Sequence, residues 1–522
     1  SICNFKIKLK KKIYIESIFL IFLGVLTSLS LPPYNFFIIN FLTFTSFFLF
    51  LIKKSSHLTN KRFFFIYGWL FGFGYFISNL YWISISLTFD QNYKFLIPLT
   101  IFLIPAFLAL FYGLVSFLFL IFKPKKKISS FLFFSLIFGI LEFTRGSIMT
   151  GFPWNLIAYS LSNQLELISI TSIFGTYGFN LFCISLFTCP AIFILRKSKK
   201  DILVVIFFLI TVLFIYIYGS FYKGKFNNSL KEDYDYKIRV IGSKVSLDRF
   251  YLDVDTVSII QDLIDLSKPI KNDKTIFIWP EGILSNISQE ELIKHQQLFQ
   301  KNFSKNHLFI IGINSYSKDD SSEDFFNSLS LYDDNLNLLD SYNKINLVPF
   351  GEFLPFENIL KNFGLRSLTK NYQSYSSGEN RNIIKIDQNN FSLKILPLIC
   401  YEIIYSGKLF NNPDFDIIVN ISEDGWFGKS IGPKQHFINS IFRAIESGKY
   451  VVRSSNNGIA AIINPTGVVE QSIKFGESGF IDLKSQKKIQ PTIFSIYGNK
   501  IFGLLILLYI FLIFSFNKLR NE

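Results

Sequence analysis

The chain has 522 residues, of which 50% are hydrophobic and 18% aromatic, and its mean hydropathy is +0.35. Soluble proteins of this length rarely carry so much apolar side chain, so the composition excludes an ordinary soluble protein and predicts a membrane protein. The formal net charge of +15 fits either a nucleic-acid partner or basic loops on the cytoplasmic side of a membrane.

Eight apolar runs are each long enough to cross a bilayer as a helix, which takes roughly 20 residues. They lie near 13–31, 35–52, 63–87, 95–122, 129–149, 165–195, 202–219 and 500–516. No signal-peptide cleavage pattern follows the first run, and the serine at position 1 suggests a natural start that lies upstream or has been processed. We expect seven spans within 1–219, and an eighth span with its tail at 500–522.

Basic residues fill every second loop between these spans. The lysine- and arginine-rich stretches are 6–12, 53–62, 123–127, 196–200 and 518–520. This alternation is the positive-inside pattern, so both termini are expected in the cytoplasm and residues 220–499 on the outer side. The positive charge is then a topology signal, and no nucleic-acid partner is expected.

Residues 220–499 carry most of the acidic residues and are divided into shorter segments. Strand-like runs occur at 236–242, 274–279, 307–313, 327–332, 391–398, 416–421 and 458–464. Helical patterns occur between them at 254–266, 289–300 and 436–447. This alternation predicts a single α/β domain over 220–499.

Cys400 stands at the end of one of these strands and directly before a predicted helix at 402–410. At such a corner the backbone N–H groups and the helix dipole favour a thiolate, which makes Cys400 a candidate nucleophile. The alternative is a small buried apolar residue. No disulfide or metal spacing is present among the four cysteines, which are Cys3, Cys183, Cys189 and Cys400.

Two charged residues occupy comparable positions upstream. Glu281 ends an apolar strand in Trp-Pro-Glu-Gly, where partial burial would suit a general base; a solvated strand-end carboxylate is the alternative. Lys344 follows a predicted hairpin with its turn near 333–335. It could stabilise an oxyanion and lower the pKa of a thiol, with Glu352 holding it in place, or it could be an ordinary surface lysine.

Three motifs together resemble the Glu-Lys-Cys triad of the nitrilase superfamily, and more narrowly the apolipoprotein N-acyltransferases. They are Trp-Pro-Glu at 279–281, Tyr-x-Lys-x-x-Leu-Val-Pro-Phe-Gly-Glu-x-Leu-Pro at 342–355, and Cys-Tyr-Glu at 400–402. Asn-x-Ser-x-Asp-x-Trp-Phe-Gly at 420–428 also resembles that family. Further similar positions are Glu142, Arg145, Gly146, Thr150, Trp154, Gly432, Pro433, Gln435, His436, Arg443, Glu446, Arg453, Asn456 and Gly458. The segment 240–250 departs from the family pattern, and Phe250 or Tyr251 would replace the tryptophan of a mobile loop.

The resemblance implies a multi-span α-helical membrane bundle with an extracytoplasmic nitrilase-like domain, an αββα sandwich. It implies transfer of an acyl chain from a phospholipid to the α-amino group of the diacylglyceryl-cysteine that begins an apolipoprotein. Glu281 would be the base and Cys400 the nucleophile that forms a thioacyl intermediate. Lys344 and the backbone N–H of Tyr401 would face the oxyanion.

Other positions have less specific expected roles. Glu402 would orient the site or cap its helix, and Trp426 would line the entrance or pack as a core aromatic. Glu142 and Arg145 would form a structural ion pair or contact a lipid headgroup. His436 is expected to be a hydrogen-bonded structural residue. The chemistry needs no cofactor or metal, and we expect a monomer in the bacterial inner membrane.

Two other functions share parts of this pattern. A membrane-tethered amidase would use the same triad on a small C–N substrate, with water as the second nucleophile. A transporter or lipid-binding scaffold would carry an inactive nitrilase-like domain. The intact triad speaks against the scaffold.

Overall fold

The computed structural model describes residues 2–57, 60–252, 254–319, 322–355, 362 and 374–518. The side chains of Cys3 and of most of the basic stretch before the first span lie outside the described part, as do residues 519–520 after the last span. The chain divides into two compact units. The first is Ser1–Phe221 with Tyr497–Glu522, and the second is Tyr222–Ile496.

The first unit is built of helices, whereas the second combines helices with strands. In chain order the described α-helices are α1 (Ile2–Ser28), α2 (Ile39–Ser55), α3 (Lys61–Leu80), α4 (Ile97–Phe122), α5 (Lys127–Arg145), α6 (Leu165–Ile168), α7 (Thr171–Thr188), α8 (Pro190–Ile194), α9 (Lys199–Asn227), α10 (Thr256–Ser267), α11 (Gln296–Asn302), α12 (Gly432–Ser447), α13 (Ile493–Tyr497) and α14 (Lys500–Lys518). Each of the eight apolar runs of the sequence therefore falls on a helix.

Six helical segments of the described chain are long and apolar enough to cross a membrane. They are Lys61–Thr88, Gln91–Phe122, Lys127–Arg145, Thr171–Ile194, Lys199–Asn227 and Lys500–Lys518. These segments coincide with the third to the eighth predicted span. The helices α1 and α2 coincide with the first two spans but are outside this group; α2 has 17 residues.

Glycines allow helices of the first unit to pack with their backbones in contact. A Cβ atom at Gly24 of α1 would lie 2.1 Å from the carbonyl oxygen of Phe71 in α3. In return, a Cβ atom at Gly74 would lie 2.1 Å from the carbonyl oxygen of Ile21. Small residues permit this close approach, which is how helices associate where the hydrophobic effect is weak.

Glu142 and Arg145 form an ion pair inside the first unit. Arg145 Nη2 lies 2.7 Å from Glu142 Oε2, and the two side chains are 0% and 1% exposed. Arg145 also donates to the carbonyl oxygen of Phe152, and its guanidinium lies over the ring of Phe76. Of the two roles that the sequence left open, the structure therefore supports the ion pair.

The second unit contains one sheet. Its strands are β1 (Lys231–Ser243), β2 (Thr275–Ile278), β3 (His307–Asp319), β4 (Ser322–Tyr332), β5 (Leu338–Asn343), β6 (Ile384–Gln388), β7 (Phe391–Ile399), β8 (Ile417–Glu423), β9 (Tyr450–Asn456), β10 (Ala460–Ile463), β11 (Val469–Ile473) and β12 (Gly479–Lys487). The order is β5-β4-β3-β2-β1-β9-β8-β7-β6, with β12 also paired to β1 and β10 to β9. The strands from β3 to β7 in this order are parallel.

Buried residues of β1–β3, on one side of the strand order, and of β7–β9, on the other side, belong to a single hydrophobic core. Ile238 and Ile310 from one half and Ile395 and Val452 from the other belong to the same buried cluster. The opposite face of β1, β2 and β3 packs against α10 and α11 in a second cluster that includes Trp279. The sheet therefore folds over on itself, with helices outside it, as the predicted sandwich requires.

The predicted helices of this unit are mostly present. The pattern at 254–266 corresponds to α10, whose N-cap Asp255 accepts a hydrogen bond from the N–H of Val257, and 436–447 lies within α12. The pattern at 289–300 was too long, because the α-helix begins only at Gln296 after a 3₁₀ turn at Leu292–His295.

Candidate active site

The carboxyl ends of the parallel strands meet at one edge of the sheet, where open α/β folds bind their ligands. Glu281 follows β2, Cys400 follows β7 and Asp424 follows β8. The strand β5 runs parallel to β3, because β4 is antiparallel to both, so Lys344 follows β5 at this same edge. The predicted hairpin before Lys344 is confirmed as β4 and β5.

Glu281 is buried, with 6% of its surface exposed. Its Oε1 accepts hydrogen bonds from Asn327 Nδ2 at 2.8 Å and from Lys344 Nζ at 3.3 Å. Its Oε2 accepts from the backbone N–H of Glu423 at 2.8 Å. The solvated strand-end carboxylate that the sequence left open is therefore excluded.

Lys344 is 1% exposed and lies between two carboxylates. Its Nζ is 2.8 Å from Glu352 Oε1 and 3.3 Å from Glu281 Oε1. Burial lowers the pKa of Lys344, but Glu352 and Glu281 raise it by more, so that it lies well above its ordinary value. Lys344 is thus a fixed ammonium, which rules out the surface lysine.

Cys400 is 7% exposed and has a left-handed backbone conformation, with φ at +49°. Burial and then the charge of Glu281 raise the pKa of its thiol well above the ordinary value, and Lys344 offsets only part of this. Burial and Glu281 therefore favour the protonated thiol, whereas a strand-to-helix corner favours the thiolate. Glu281 and Lys344 both act on the charge of Cys400, which links the three residues as one candidate site.

The predicted helix at 402–410 is wrong. Cys400–Ile404 forms a single 3₁₀ turn, which ends because Tyr405 returns to an extended conformation at ψ 124°. Such a short turn has a much smaller dipole than a helix of several turns. The corner therefore offers little of the dipole stabilisation that a helix of several turns would give a thiolate.

Glu402 lies within this turn, is fully buried and accepts hydrogen bonds from several partners. Its Oε1 accepts from Tyr342 Oη at 2.6 Å, Arg381 Nη2 at 2.6 Å and the N–H of Ile345 at 3.0 Å. Its Oε2 accepts from the N–H of Ile399 at 2.9 Å. Burial raises the pKa of Glu402, but Arg381 and these donors lower it below the ordinary value. The carboxylate thus ties the nucleophile turn to the backbone that follows Lys344.

Asn327 is a residue of the site that the sequence analysis missed. Its Nδ2 donates to Glu281 Oε1 at 2.8 Å and to Glu352 Oε1 at 2.9 Å. Its backbone carbonyl oxygen accepts from the backbone N–H of Lys344 at 2.9 Å. One residue of β4 therefore contacts both carboxylates and the backbone of Lys344. An asparagine in a strand gives no signal for this role, because its partners lie elsewhere in the chain.

Arg249 and Glu423 form a second ion pair that the sequence analysis missed. Both side chains are 1% exposed, and Arg249 Nη2 donates to Glu423 Oε2. Arg249 Nε also donates to the carbonyl oxygen of Gly282 at 3.1 Å. The backbone N–H of Glu423 donates to the carboxylate of Glu281, and Gly282 is the next residue in the chain after Glu281. The ion pair therefore connects Arg249 to two segments that adjoin Glu281.

Trp426 follows Asp424 by two residues and is partly exposed. The ring of Phe250 is 5.2 Å from it, centroid to centroid, and the ring of Tyr251 is 6.3 Å away. Both candidate replacements for the family's loop tryptophan therefore contact Trp426. Tyr401, which follows the nucleophile, is buried and packs against the ring of Tyr405.

Two family models match the chain. The apolipoprotein N-acyltransferase N-terminal domain matches residues 23–189, and the carbon-nitrogen hydrolase domain matches residues 260–487. Among solved structures, a Saccharomyces cerevisiae member of branch 10 of the nitrilase superfamily is 16% identical with a TM-score of 0.34, covering 48% of this chain and 90% of its own. The family models confirm the predicted fold class, a helical membrane bundle with a nitrilase-like α/β domain.

Curated relatives match nearly the whole chain. The apolipoprotein N-acyltransferase of Rickettsia prowazekii is 33% identical over 490 residues, which cover 93% of this chain and 95% of the relative. The apolipoprotein N-acyltransferase of Rhizobium leguminosarum is 30% identical over 487 residues, which cover 90% of this chain and 89% of the relative. The chain therefore belongs to the apolipoprotein N-acyltransferase family.

Proposed function

We propose that the chain transfers a fatty acyl group from a phospholipid to the α-amino group of the diacylglyceryl-cysteine of an apolipoprotein. The catalytic residues are Glu281, Lys344 and Cys400, within a domain at 220–499 that lies between seven spans at 1–219 and an eighth at 500–522. The observation that carries the proposal is the contact at 3.3 Å between the buried ammonium of Lys344 and the buried carboxylate of Glu281, at the sheet edge where Cys400 ends β7. The family relationship favours this activity over the amidase.

In the first half-reaction the sulfur of Cys400 attacks the ester carbonyl of the phospholipid. Because the thiol is protonated at rest, its proton must pass to Glu281 as the C–S bond forms. Lys344 and the backbone N–H of Tyr401 stabilise the oxyanion. When the ester C–O bond breaks, the alkoxide of the lysophospholipid takes the proton from Glu281, and a thioester remains on Cys400.

In the second half-reaction the amine of the apolipoprotein attacks this thioester. Glu281 accepts a proton from the amine as the C–N bond forms, and the C–S bond then breaks. The proton returns to the sulfur, which restores the thiol of Cys400, and the amide product leaves. Such an order of events predicts ping-pong kinetics. Glu352 holds Lys344 in place during both steps, and Trp426 lines the entrance.

The distribution of basic loops supports a multi-pass protein of the bacterial inner membrane with both termini in the cytoplasm. The catalytic domain is then on the periplasmic side, where lipid-anchored substrates can reach it from the outer leaflet. We propose that the monomer is the active form, because the proposed catalytic groups all belong to one chain.

Mass spectrometry of the intact protein tests the proposed function. Phosphatidylethanolamine added to the purified full-length chain in detergent should add the mass of one acyl group to Cys400. A synthetic diacylglyceryl-cysteine peptide should then remove this mass and become N-acylated. Rapid hydrolysis of small amides with no acyl adduct would overturn the proposal in favour of the amidase.

Gly312→Ala should disturb Glu281 from the neighbouring strand. A Cβ atom at Gly312 of β3 would lie 2.3 Å from the carbonyl oxygen of Pro280 and 2.5 Å from the Cα of Glu281. Because these are backbone atoms, the chain that carries Glu281 must move, and a displacement of about 1 Å can cost 100-fold in rate. Single-turnover acylation of Cys400 should slow accordingly.

Gly479→Ala is the matched control, since its Cβ would meet nothing within 4 Å in β12. It should acylate at the rate of the unaltered protein. Equal rates for both variants would show that Glu281 does not depend on the close approach of β3.

A further inference from the structure

A second polar cluster lies behind the nucleophile and has no role in the mechanism above. His436, in the first turns of α12, and Asp424, after β8, are both fully buried. His436 Nδ1 is 2.9 Å from Asp424 Oδ1, and His436 Nε2 is 3.2 Å from the carbonyl oxygen of Cys400. The imidazole ring therefore bridges a fixed carboxylate and the backbone of the nucleophile.

Asp424 is held rigidly in this cluster. Its Oδ1 accepts from Ser422 Oγ at 2.6 Å, and its Oδ2 accepts from Arg453 Nη2 at 2.9 Å. Arg453 also donates to the side-chain oxygen of Asn420. Burial raises the pKa of Asp424, but Arg453, with a hydrogen bond from Ser422 among the other contacts, lowers it well below its ordinary value. Asp424 is thus ionised and offers an immobile anchor to the ring.

The carbonyl contact matters because the backbone of Cys400 is strained. A residue other than glycine at φ +49° is strained, and such strain persists only when the surroundings fix it. The direction of the Cα–Cβ bond, and hence the place of the sulfur, depends on this φ. A hydrogen bond to the carbonyl oxygen of Cys400 fixes the peptide plane that follows it.

The partners of the ring define where its proton lies. A carbonyl oxygen only accepts, so a hydrogen bond to Cys400 requires a proton on Nε2. Arg453 only donates, and its Nη2 lies 3.1 Å from Nδ1, which can therefore accept. A neutral ring carries one proton, so it cannot donate both to Asp424 from Nδ1 and to the carbonyl oxygen of Cys400 from Nε2. Donation from Arg453 to Nδ1 favours the proton on Nε2, and burial, which lowers the pKa of His436, favours the neutral form.

A metal ion is a poor occupant of this cluster. Ligand atoms of Cys400, Asp424 and His436 lie within 4.8 Å of one another, which is a donor set that could suit zinc. However, the guanidinium of Arg453 already contacts both Asp424 and His436. A second positive charge at this point would be repelled, and the ring is already engaged at both nitrogens.

We propose that His436 is a positioning residue that holds the strained nucleophile by donating a hydrogen bond from Nε2 to the carbonyl oxygen of Cys400. Asp424 and Arg453 orient its ring. This inference rests on the proposed function only in taking Cys400 as the nucleophile. It assigns no proton-transfer step to His436, since Glu281 supplies the base.

Two substitutions separate the two contacts of the ring. His436→Gln places an amide N–H near the position of Nε2 and can still reach Cys400. His436→Asn places one near Nδ1, where it can reach Asp424 but falls short of the carbonyl. In single-turnover acylation by phosphatidylethanolamine, the Asn variant should lose about 100-fold in the maximal rate with little change in half-saturation. The Gln variant should recover most of that rate.

Equal rates for the two variants, when both melt near the temperature of the unaltered protein, would overturn the proposal.

A measurement on the unaltered protein guards against a variant that fails to fold. Nitrogen-15 NMR of the histidine-labelled chain, assigned by the loss of one signal in His436→Gln, should show the proton on Nε2. A ring protonated on Nδ1 alone would also overturn the proposed role of His436. Neither outcome touches the proposed function, which fails only if the unaltered protein forms no acyl adduct.

Discussion

Replacing Cys400 with alanine should abolish acyl transfer while leaving the chain folded. The substitution removes the sulfur that forms the thioester in the proposed mechanism, and loss of a covalent nucleophile typically costs roughly 10⁴-fold or more. Stability should change by about 1 kcal/mol, because alanine fits the small buried site and tolerates the positive φ as well as cysteine does. Intact-mass spectrometry after exposure to phospholipid should detect no adduct on the variant.

Cys183→Ala is the matched control. Cys183 is also a buried free thiol, but it belongs to α7 in the helical unit. This variant should form the acyl adduct at the rate of the unaltered protein. Retention of acyl transfer in Cys400→Ala would rule out a thioester at this cysteine, and retention of the cellular role without transfer would favour the scaffold.

Lys344→Met should lower both stability and activity. The ammonium lies between Glu281 and Glu352 with 1% of its surface exposed. Its removal leaves two buried carboxylates beside each other without a counter-ion, which typically costs about 3–5 kcal/mol. The oxyanion also loses a donor, which typically costs about 10²–10³ in rate. Thermal unfolding in detergent and single-turnover acylation measure the two effects.

A double variant distinguishes the two effects of Lys344. In Lys344→Met with Glu352→Gln, one carboxylate is neutral and the repulsion is removed, so most of the lost stability should return. Acylation should remain slow, because no ammonium faces the oxyanion. If acylation recovers together with stability, Lys344 acts only as a structural counter-ion and the proposed triad is wrong.

The sequence predicted the architecture well because its signals are local. Apolar runs mark the helices of the first unit, and alternating strands and helices mark the α/β domain. Glu281 and Cys400 could be identified as site candidates because each directly follows a buried strand. Strands such as β9 escaped detection, since Arg453 and Ser454 lie in its buried interior and make it look polar. The buried charge of Arg453 is balanced by Asp424, with which Arg453 forms an ion pair.

The contacts that support the site could not be predicted in the same way. Asn327 is 46 residues from Glu281 along the chain, and Arg249 is 174 residues from Glu423. Only the folded sheet brings these residues together. The surroundings of Cys400 could not be predicted for a related reason, because burial of the thiol and the nearby charge of Glu281 are consequences of tertiary structure.

The ion pair of Glu142 and Arg145 has a consequence for how the protein enters its membrane. The two residues are three positions apart on α5, so the helix can neutralise both charges by itself. A single charged side chain in a bilayer loses its hydration at a high free-energy cost unless an oppositely charged residue on another helix pairs with it. Insertion of α5 can therefore precede assembly of the bundle, and its charged pair reaches the interior already matched.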